Sequence, residues 1–432
     1  MSVNVRRGAL VLFAVTCSGC GAAAPAPPPR DLARFGPDRI AYRLDLDHRG
    51  HRLAGTQRIA FRNPFKRPLD HVWLRAWDNA FGSCARPYVR VEVTDGGRLT
   101  DRRRTCTAYR VALTKPVAPG ARGAVVLRIA VTTPPHFDRF GRLGRIDVLG
   151  NALPVLAVSD RGSEPRLPPY SFIGESFFSL VGNWDVRLRA APREQVASTG
   201  TRTGPDTYTA RNERDFTLVL GPMHELQTTA GGVRIRWFAR GRPSAAGPRM
   251  TAEALTALQR DLGPYGAREL DVLEVPPHIV NGGIAMEYPE LILSPAFRPA
   301  VSHEVAHQWF FRLVGDDEWS DPWVDETLAE FTAVRLGRAI HGPDRERGCP
   351  TRARPARPPM PLTSSMGQFE RGPRRAEVKT LYIEGPCMLF NLQRRVGKPR
   401  MTAFLRGLVR TYRNGVLTTP ELRAALHRLA HP

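Results

Sequence analysis

The sequence predicts a multidomain protein in which an all-β N-terminal domain precedes a mostly helical α/β domain. Its length of 432 residues exceeds one ordinary domain, since domains commonly contain about 100–200 residues. Hydrophobic residues make up 42% and charged residues 24%, a globular composition with enough apolar material for full cores. The spacing of apolar residues also changes near residue 240, from strand-like alternation to a helical period.

The N-terminus is typical of an exported protein. Two arginines at positions 6 and 7 precede the apolar run 9–15, an order that indicates a secretory signal too short to span a bilayer. The sequence Cys-Ser-Gly-Cys that follows resembles the bacterial lipobox, although Cys17 stands where leucine is usual. We therefore predict a lipoprotein-type signal peptide over residues 1–19 and lipidation at Cys20, with simple cleavage and secretion as the alternative.

Residues 20–30 are rich in proline and alanine, which indicates a semi-extended tether rather than a folded segment. A tether after a lipidated cysteine would hold the protein just off a membrane. The expected location is the outer face of a bacterial cytoplasmic membrane or the cell envelope.

Four cysteines remain in the mature chain, and an even number in an oxidising compartment favours two disulfides. Of the three possible pairings, we favour Cys84 with Cys106 and Cys349 with Cys387, because each pair then lies within one predicted domain. Free buried thiols are the alternative.

Residues 31–235 are predicted to form the β domain. Tyr42, Leu44 and Leu46 alternate with charged residues, and similar alternation recurs along this half between clusters of Gly, Pro, Asn and Asp. Many short strands separated by turns predict an antiparallel sandwich or a large, saddle-like curved sheet. This half contains no convincing catalytic constellation.

Residues 236–432 are predicted to form the second domain. A helical segment from Met250 to Leu262 precedes a strand from Leu270 to Val275, and longer helical patterns follow. These patterns cover residues 298–314, 323–340, 376–396, 399–412 and 419–429.

The formal net charge is +22, and only four of the 63 basic residues are lysines. The arginines are scattered along the chain, whereas a nucleic-acid-binding protein usually concentrates them on one face or tail. We therefore predict no nucleic-acid partner, and interpret the charge as compositional bias or as attraction to an anionic surface. No apolar stretch approaches the ~18–20 residues of a spanning helix, which excludes a channel or transporter.

The chemistry is concentrated in the sequence His-Glu-Val-Ala-His at 303–307. On a helix, residues four apart share one face, so His303 and His307 could chelate one zinc ion. Glu304 lies beside them, where it could accept a proton from the attacking water. A sequence of this kind on its own is only moderately specific for a metal site.

Glu326 completes the predicted zinc site. Eighteen residues separate it from His307, enough for a turn and the return of an antiparallel helix. Two histidines and one glutamate leave a fourth position open, which is typical of hydrolytic zinc sites. Alternatively, Glu326 is an ordinary acidic residue near a helix N-terminus. Asp325 and Glu330 either orient the histidines or are exposed helix acids.

This spacing resembles that of the aminopeptidase-N-type zinc metallopeptidases, gluzincins whose catalytic domain has a thermolysin-like fold. The motif at 303–307 and the sequence Trp-Val-Asp-Glu at 323–326 match that family. Gly-Gly-Ile-Ala-Met-Glu-Tyr-Pro at 282–289 is similar to its exopeptidase motif, and Tyr-Ile-Glu-Gly at 382–385 is similar to the motif of its catalytic tyrosine. The resemblance covers about residues 35–430.

The resemblance implies a role for each matching residue. His303, His307 and Glu326 would bind one zinc ion, and Glu304 would act as general base. Tyr382 would donate a hydrogen bond to the oxyanion of the tetrahedral intermediate, or else be a core tyrosine.

The same resemblance implies how the substrate is held. Glu287 would pair with the free α-ammonium group of a peptide, and Gly283, Ala285 and Met286 would contact its backbone. The alternative for Glu287 is an acid held at the end of a strand. Glu175 is the one candidate that we name for a second amine anchor, contributed by the β domain.

The sequence departs from the family pattern at three positions. Tyr288 replaces the usual asparagine after Glu287, Ile284 has the character of an insertion, and Thr327 stands where glycine follows the third ligand. The sequence also ends at Pro432, without the large C-terminal helical domain of longer relatives. We expect a more open cleft from this, which weakens the expectation of strict single-residue trimming.

The sequence therefore predicts a zinc-dependent peptidase, most simply an aminopeptidase acting on peptides, with no obligate protein partner. An endopeptidase with an open cleft and hydrolysis of a non-peptide substrate are alternatives that use the same site. A catalytically inactive binding protein of the cell envelope is the alternative from a different class.

Overall fold

The computed structural model describes residues 40–159, 164–276, 285–341, 349 and 359–431. The predicted signal peptide (1–19), the tether (20–30), Cys20 and Gly283 lie outside the described residues. None of the described helices has the length and apolar character needed to cross a bilayer.

Strands occupy much of the first half of the described chain, as predicted. They are β1 Ile40–Arg49, β2 Arg52–Arg62, β3 Leu69–Arg75, β4 Val89–Asp95, β5 Gly97–Arg103, β6 Ala108–Val117, β7 Arg122–Thr132, β8 Phe140–Leu143, β9 Ile146–Leu149, β10 Val155–Leu156, β11 Gly182–Arg189, β12 Gln195–Ser198, β13 Thr201–Arg202, β14 Thr207–Glu213 and β15 Leu218–Gly221.

These strands form three sheets, and the all-β prediction is confirmed. Seven strands follow the order β13-β14-β11-β1-β2-β7-β4, and the others form β10-β3-β6-β5 and β12-β15-β9-β8. Alternate residues of β1, such as Leu44 and Leu46, are buried against the apolar core that these sheets share. The largest sheet is mixed rather than purely antiparallel, because β1 pairs in parallel with β11. The long segment between these two strands permits that crossover.

The second half combines a smaller sheet with helices, which confirms the mostly helical α/β prediction. Its sheet has the order β16-β17-β18-β19, in which β17, β18 and β19 are parallel. These strands are β16 His224–Ala230, β17 Val233–Ala239, β18 Glu269–Glu274 and β19 Leu291–Ser294, and a short pair is formed by β20 Val314–Gly315 and β21 Gly415–Val416.

Helices cover one face of this sheet and extend beyond it. They are α1 Gly247–Leu262, α2 Arg298–His307, α3 Trp323–His341, α4 Met366–Glu370, α5 Ala376–Lys379, α6 Gly385–Val396, α7 Lys398–Tyr412 and α8 Thr419–Ala430, with a π-helical turn at Thr380–Glu384 between α5 and α6. Apolar residues of β17, β18, α1, α2, α3 and α6 form one continuous core.

Two predicted boundaries require correction. The division at 235/236 falls inside β17, whose partners β16 and β18 belong to the second sheet, so the change of sheet occurs between β15 and β16. The helix predicted over 298–314 ends at His307. Trp309, Phe310 and Leu313, which suggested its continuation, are buried in an irregular turn that leads into β20.

Both halves contribute to the core between them. Trp77 and Val219 of the β domain are buried in one apolar cluster with Phe238, Leu273 and Met286 of the second domain. The candidate site lies beside this junction, so residues from both halves reach it.

The structure pairs the four described cysteines as the sequence analysis favoured. Cys84 is bonded to Cys106 with a Cα–Cα distance of 5.2 Å, and Cys349 is bonded to Cys387 with a distance of 5.1 Å. The second disulfide ties residue 349 to α6, one turn after the segment that carries Tyr382.

Candidate metal centre and active site

Helix α2 carries both histidines on one face. Val301, Val305 and Ala306 are buried in the core, which fixes the rotation of the helix about its axis. His303 and His307, four residues apart, bring their Nε2 atoms to 3.0 Å from each other.

The outer nitrogen of each imidazole has a hydrogen-bond acceptor. His303 Nδ1 lies 2.9 Å from Glu330 Oε2, and His307 Nδ1 lies 3.0 Å from the carbonyl oxygen of Phe310. When each Nδ1–H donates to its acceptor, both Nε2 lone pairs face inward. This is the tautomer that a metal-ligating histidine needs.

Glu326 approaches the same point from α3, which packs against α2. Its Oε2 atom lies 3.3 Å from His303 Nε2 and 3.5 Å from His307 Nε2, and it has no hydrogen-bond partner. A tetrahedral zinc ion with bonds of about 2.0–2.1 Å separates its ligand atoms by roughly 3.3–3.4 Å. The residues present therefore fit a zinc ion, with the orphaned carboxylate oxygen turned toward its position.

Glu304 lies on α2 beside the two histidines and is 3% exposed. Its Oε2 atom has no hydrogen-bond partner. Burial, aided by the negative charge of Glu326 and opposed by His303, raises the pKa of Glu304 to about 8. A cation held by the neighbouring ligands would favour the ionised carboxylate, the form that accepts a proton.

Tyr382 lies across the site from α2, in the π-helical turn. Its ring centroid is 5.7 Å from that of His303. Burial, together with the nearby carboxylate of Glu326, raises the pKa of its hydroxyl well above the usual range, so the group remains a hydrogen-bond donor. The continuous helix predicted over 376–396 is interrupted by this turn.

Glu287 follows Met286, which bridges to Leu293 of β19. The side chain of Glu287 is 3% exposed, and its Oε1 atom has no hydrogen-bond partner. Glu175 of the β domain meets it there: oxygen atoms of Glu175, Glu287 and Glu326 all lie within 4.8 Å of one another. The structure thus brings the predicted amine anchor and its named second candidate together, with Ala285 beside them in sequence.

Two further residues position these acids and were missed by the sequence analysis. Arg139 is buried and forms an ion pair with Glu175, with its Nη2 atom 3.0 Å from Oε1. Gln308 directly follows the second histidine, and its amide bonds to the backbone around Glu287. The position of Gln308 next to the motif was an available signal, whereas no local pattern marked Arg139.

Asp325 and Glu330 have different environments. Glu330 contacts His303 as described above. Asp325 accepts a 2.6 Å hydrogen bond from the backbone N–H of Glu326 and makes none to either histidine.

Comparison with known proteins agrees with this geometry. Residues 296–431 match the model of the peptidase family M1 domain. These residues are a peptidase family M1 domain. The family predicted from the spacing of the motifs is confirmed for this part of the chain.

The chain is similar to curated aminopeptidases over part of their length. Mouse (Mus musculus) aminopeptidase RNPEPL1 is 28% identical over 178 residues, which are 37% of this chain and 24% of that protein. Leucine aminopeptidase 2 of Neosartorya fischeri is 24% identical over 198 residues, which are 41% of this chain and 31% of that protein. The chain thus spans about a quarter to a third of the length of these relatives.

The fold extends to both halves of the chain. The crystal structure of an M1 zinc metallopeptidase from Deinococcus radiodurans has a TM-score of 0.64 and 21% identity, and covers 90% of each chain. A mutant of that enzyme bound to a Tyr-Ser-Ala substrate aligns with a TM-score of 0.64 and 20% identity, again over 90% of each chain. The two-domain architecture accompanying the M1 domain is therefore shared with these structures.

Proposed function

We propose that this protein is a zinc-dependent aminopeptidase that removes residues from the N-termini of peptides. The observation that carries the proposal is the convergence of His303, His307 and Glu326 beside the buried carboxylates of Glu287 and Glu175. The three ligands are suited to one zinc ion. The acidic pair is suited to an α-ammonium group, and its place next to the ligands limits how much peptide fits before the scissile bond.

Each group has a distinct task in peptide hydrolysis. Zinc, when bound to His303, His307 and Glu326, supplies a Lewis acid that polarises the scissile carbonyl and makes water easier to deprotonate. Glu304 accepts the proton of the attacking water and passes it to the leaving amine. The hydroxyl of Tyr382 donates to the oxygen that becomes negatively charged in the transition state.

The acidic pair holds the free end of the peptide. A primary ammonium group has three N–H donors, and Glu287 and Glu175 offer it carboxylate acceptors in a site with little exposure to water. The guanidinium group of Arg139 stabilises the ionised form of Glu175. An N-acetylated peptide has no ammonium group and would leave both acids without a cation.

A defined peptide mixture, digested with and without a zinc chelator and analysed by mass spectrometry, tests this proposal. We expect chelator-sensitive N-terminal ladders that are absent with N-acetylated peptides. Chelator-sensitive internal cuts that acetylation does not affect would instead identify an endopeptidase. Cleavage that persists without zinc would contradict the proposed metal site.

The first variant to measure is Glu304→Gln. Losing the general base should lower kcat by about 10²–10⁴-fold, while metal analysis still finds one zinc ion per chain. The exposed acid Glu370 provides a matched control, because Glu370→Gln makes the same chemical change outside the site. Unchanged turnover by Glu304→Gln would remove Glu304 from the mechanism, whereas a lack of turnover by the zinc-loaded wild-type protein would favour a binding protein.

We also propose that the protein is exported and held at a membrane surface by a lipid at Cys20. The signal-like sequence before Cys20 and the two disulfides, which are typical of oxidising compartments, support this location. Metabolic labelling with a fatty-acid analogue tests it. Incorporation into the wild-type protein and none into Cys20→Ala is expected, and label-free protein in the medium would indicate simple secretion.

A further inference from the structure

Glu377 is an acid of the cleft that the catalytic scheme above does not use. It lies in α5, five residues before Tyr382, and is 7% exposed. Among the described residues, no arginine, lysine or histidine forms an ion pair with its carboxylate. A buried carboxylate without a cationic partner is costly to keep ionised.

The carboxylate of Glu377 lies close to the residues of the candidate site. A methyl group built on Gly174 would lie 3.8 Å from Glu377 Oε1, so Glu377 faces the segment that carries Glu175. Along its own segment it stands one turn before Tyr382. Glu377 is therefore close to the segment of the proposed α-ammonium anchor Glu175, and its charge also acts on the hydroxyl of Tyr382.

The side chain of the N-terminal residue leaves the peptide between its ammonium group and the scissile carbonyl. Its Cα atom joins the ammonium group, bound by Glu287 and Glu175, to the carbonyl that is attacked. Ile173 and Val378, the sequence neighbours of Gly174 and Glu377, are 46% and 44% exposed, so apolar surface is available next to the carboxylate of Glu377. Lysine and arginine combine an apolar stem with a cationic end.

The charged groups around Glu377 do not include a cation that is available to pair with its carboxylate. The charged groups that act on Glu377 are Glu175, Glu326 and Arg139. Glu326 belongs to the metal ligand set, and Arg139 is already paired with Glu175. The α-ammonium group of a bound peptide would pair with Glu175 and Glu287, and not with Glu377. Burial and the two neighbouring carboxylates raise the pKa of Glu377 to about 8, as expected for an acid that lacks a counter-charge.

We propose that Glu377 is a specificity-determining residue that selects peptides whose first residue is arginine or lysine. The inference rests on the proposed aminopeptidase function and names its substrate class. A substrate of this kind supplies the cation that the described cleft does not provide. An N-terminal residue with a neutral side chain of the same length would bury its polar end against a carboxylate without neutralising it.

Steady-state kinetics on fluorogenic amides of arginine, lysine, citrulline and leucine test the proposal. Citrulline matches arginine in length and shape but has no charge. We expect kcat/KM for arginine to exceed that for citrulline by at least about 10-fold in the wild-type protein. In Glu377→Gln the kcat/KM values for the arginine and citrulline amides should agree within about 3-fold, and kcat/KM for the leucine amide should change little. The control Glu370→Gln should retain the wild-type ratio of kcat/KM for arginine to that for citrulline. A wild-type ratio near one would overturn the proposal without any variant.

Equilibrium binding separates this inference from the question of catalysis. Free L-arginine, L-citrulline and L-leucine have no bond to hydrolyse, so calorimetric titration of the zinc-loaded protein reports recognition alone. Tighter binding of L-arginine than of L-citrulline, lost in Glu377→Gln, is the expected result. Equal affinity for L-arginine and L-citrulline would overturn the proposed role of Glu377. The aminopeptidase proposal would still stand in that case if a zinc chelator abolished hydrolysis of the leucine amide. Selective binding of L-arginine without hydrolysis of any amide would instead count against the catalytic proposal alone.

Discussion

Thr327 shows how one side chain can set the position of a catalytic group. It is buried, and its hydroxyl donates a 3.0 Å hydrogen bond to the carbonyl oxygen of Leu381, next to Tyr382. In a π-helical turn that carbonyl would accept from the residue five positions later, but this residue is Pro386, which has no N–H. Thr327 thus supplies the missing donor, which gives a physical reason for threonine at a position where the family motif has glycine.

We therefore predict that Thr327→Val lowers kcat while Thr327→Ser preserves it. Valine has the same shape but leaves the Leu381 carbonyl without a donor, at a cost of about 1–3 kcal/mol, and it frees the turn that holds Tyr382. A loss of roughly 10-fold in kcat and a lower Tm are expected for valine, because small misplacements of a catalytic group are costly. Steady-state kinetics and thermal unfolding measure both. Wild-type kcat in a folded Thr327→Val protein would show that Tyr382 is positioned by other contacts.

Gln308 links two elements of the site, helix α2 and the segment that carries Glu287. Its Oε1 atom accepts a 3.0 Å hydrogen bond from the backbone N–H of Glu290, and its Nε2 atom donates a 3.1 Å bond to the carbonyl oxygen of Tyr288. Gln308, which is adjacent to His307, thereby fixes the segment of the proposed amine anchor relative to the metal ligands. The Tyr288 hydroxyl donates to the carbonyl oxygen of Arg139 at 2.5 Å and so ties this segment to the β domain.

We predict that Gln308→Leu raises KM for aminopeptidase substrates by about 10-fold with a smaller change in kcat. The substitution removes both backbone contacts, so Glu287 moves while the zinc ligands keep their own supports. The test is a double-mutant cycle with Glu287→Gln. Once Glu287 is replaced, Gln308→Leu should have little further effect on KM. Additive effects would mean that Gln308 acts independently of Glu287.

The predictability of the site from sequence differed from element to element. The i, i+4 spacing of His303 and His307 required only that one helix form, and α2 forms there. The end of that helix was predicted wrongly, because apolar residues such as Trp309 are buried in a turn as well as in a helix. The π-helical turn around Tyr382 was also missed, since it depends on a donor from α3 that lies over fifty positions away in the sequence.

At the scale of the whole molecule, the site depends on contacts between the two halves. Arg312 of the M1 domain is buried and contacts Glu213 of the β domain at 2.6 Å and Glu290 at 2.8 Å. Removing one member of such a buried cluster typically costs about 3–5 kcal/mol. Glu290 lies three residues after Glu287, so the same cluster that joins the halves also supports the proposed amine anchor.

The contribution of the β domain was the least predictable part. Its strands follow from local alternation, and the all-β prediction was correct. By contrast, Arg139 and Glu175 meet residues of the second domain, such as Tyr288 and Glu287, only through long-range packing, which no spacing along the sequence encodes. The resemblance to a family suggested a Gln or Glu of the β domain as a second amine anchor, but the proximity of Glu175 to Glu287 is seen only in the folded chain.

The β domain also has a polar cluster that should make the stability of the molecule depend on pH. His48 is buried, with Nε2 2.9 Å from Asp147 Oδ2 and Nδ1 3.0 Å from Glu194 Oε2, and His51 contacts the other oxygen of Asp147. Burial by itself lowers the pKa of His48, but the hydrogen bonds to Asp147 and Glu194 outweigh it and raise the pKa above its usual value of 6.5.

A histidine whose pKa is raised by folding stabilises the native state in its protonated form. The contribution of His48 should therefore be fully present below about pH 6.5 and lost as the pH rises through the raised pKa of the folded state. We predict that His48→Gln lowers the free energy of unfolding at pH 6 and that the difference from wild type shrinks toward alkaline pH. Denaturant titrations from pH 6 to alkaline pH measure the free energy of unfolding of both proteins. Subtracting the value for His48→Gln from that for wild type cancels the contribution of the other titrating groups, because both proteins contain them. The exposed His224 serves as the control, because His224→Gln should shift stability little at any pH. A difference between wild type and His48→Gln that stays constant with pH would mean that His48 is neutral in the native protein.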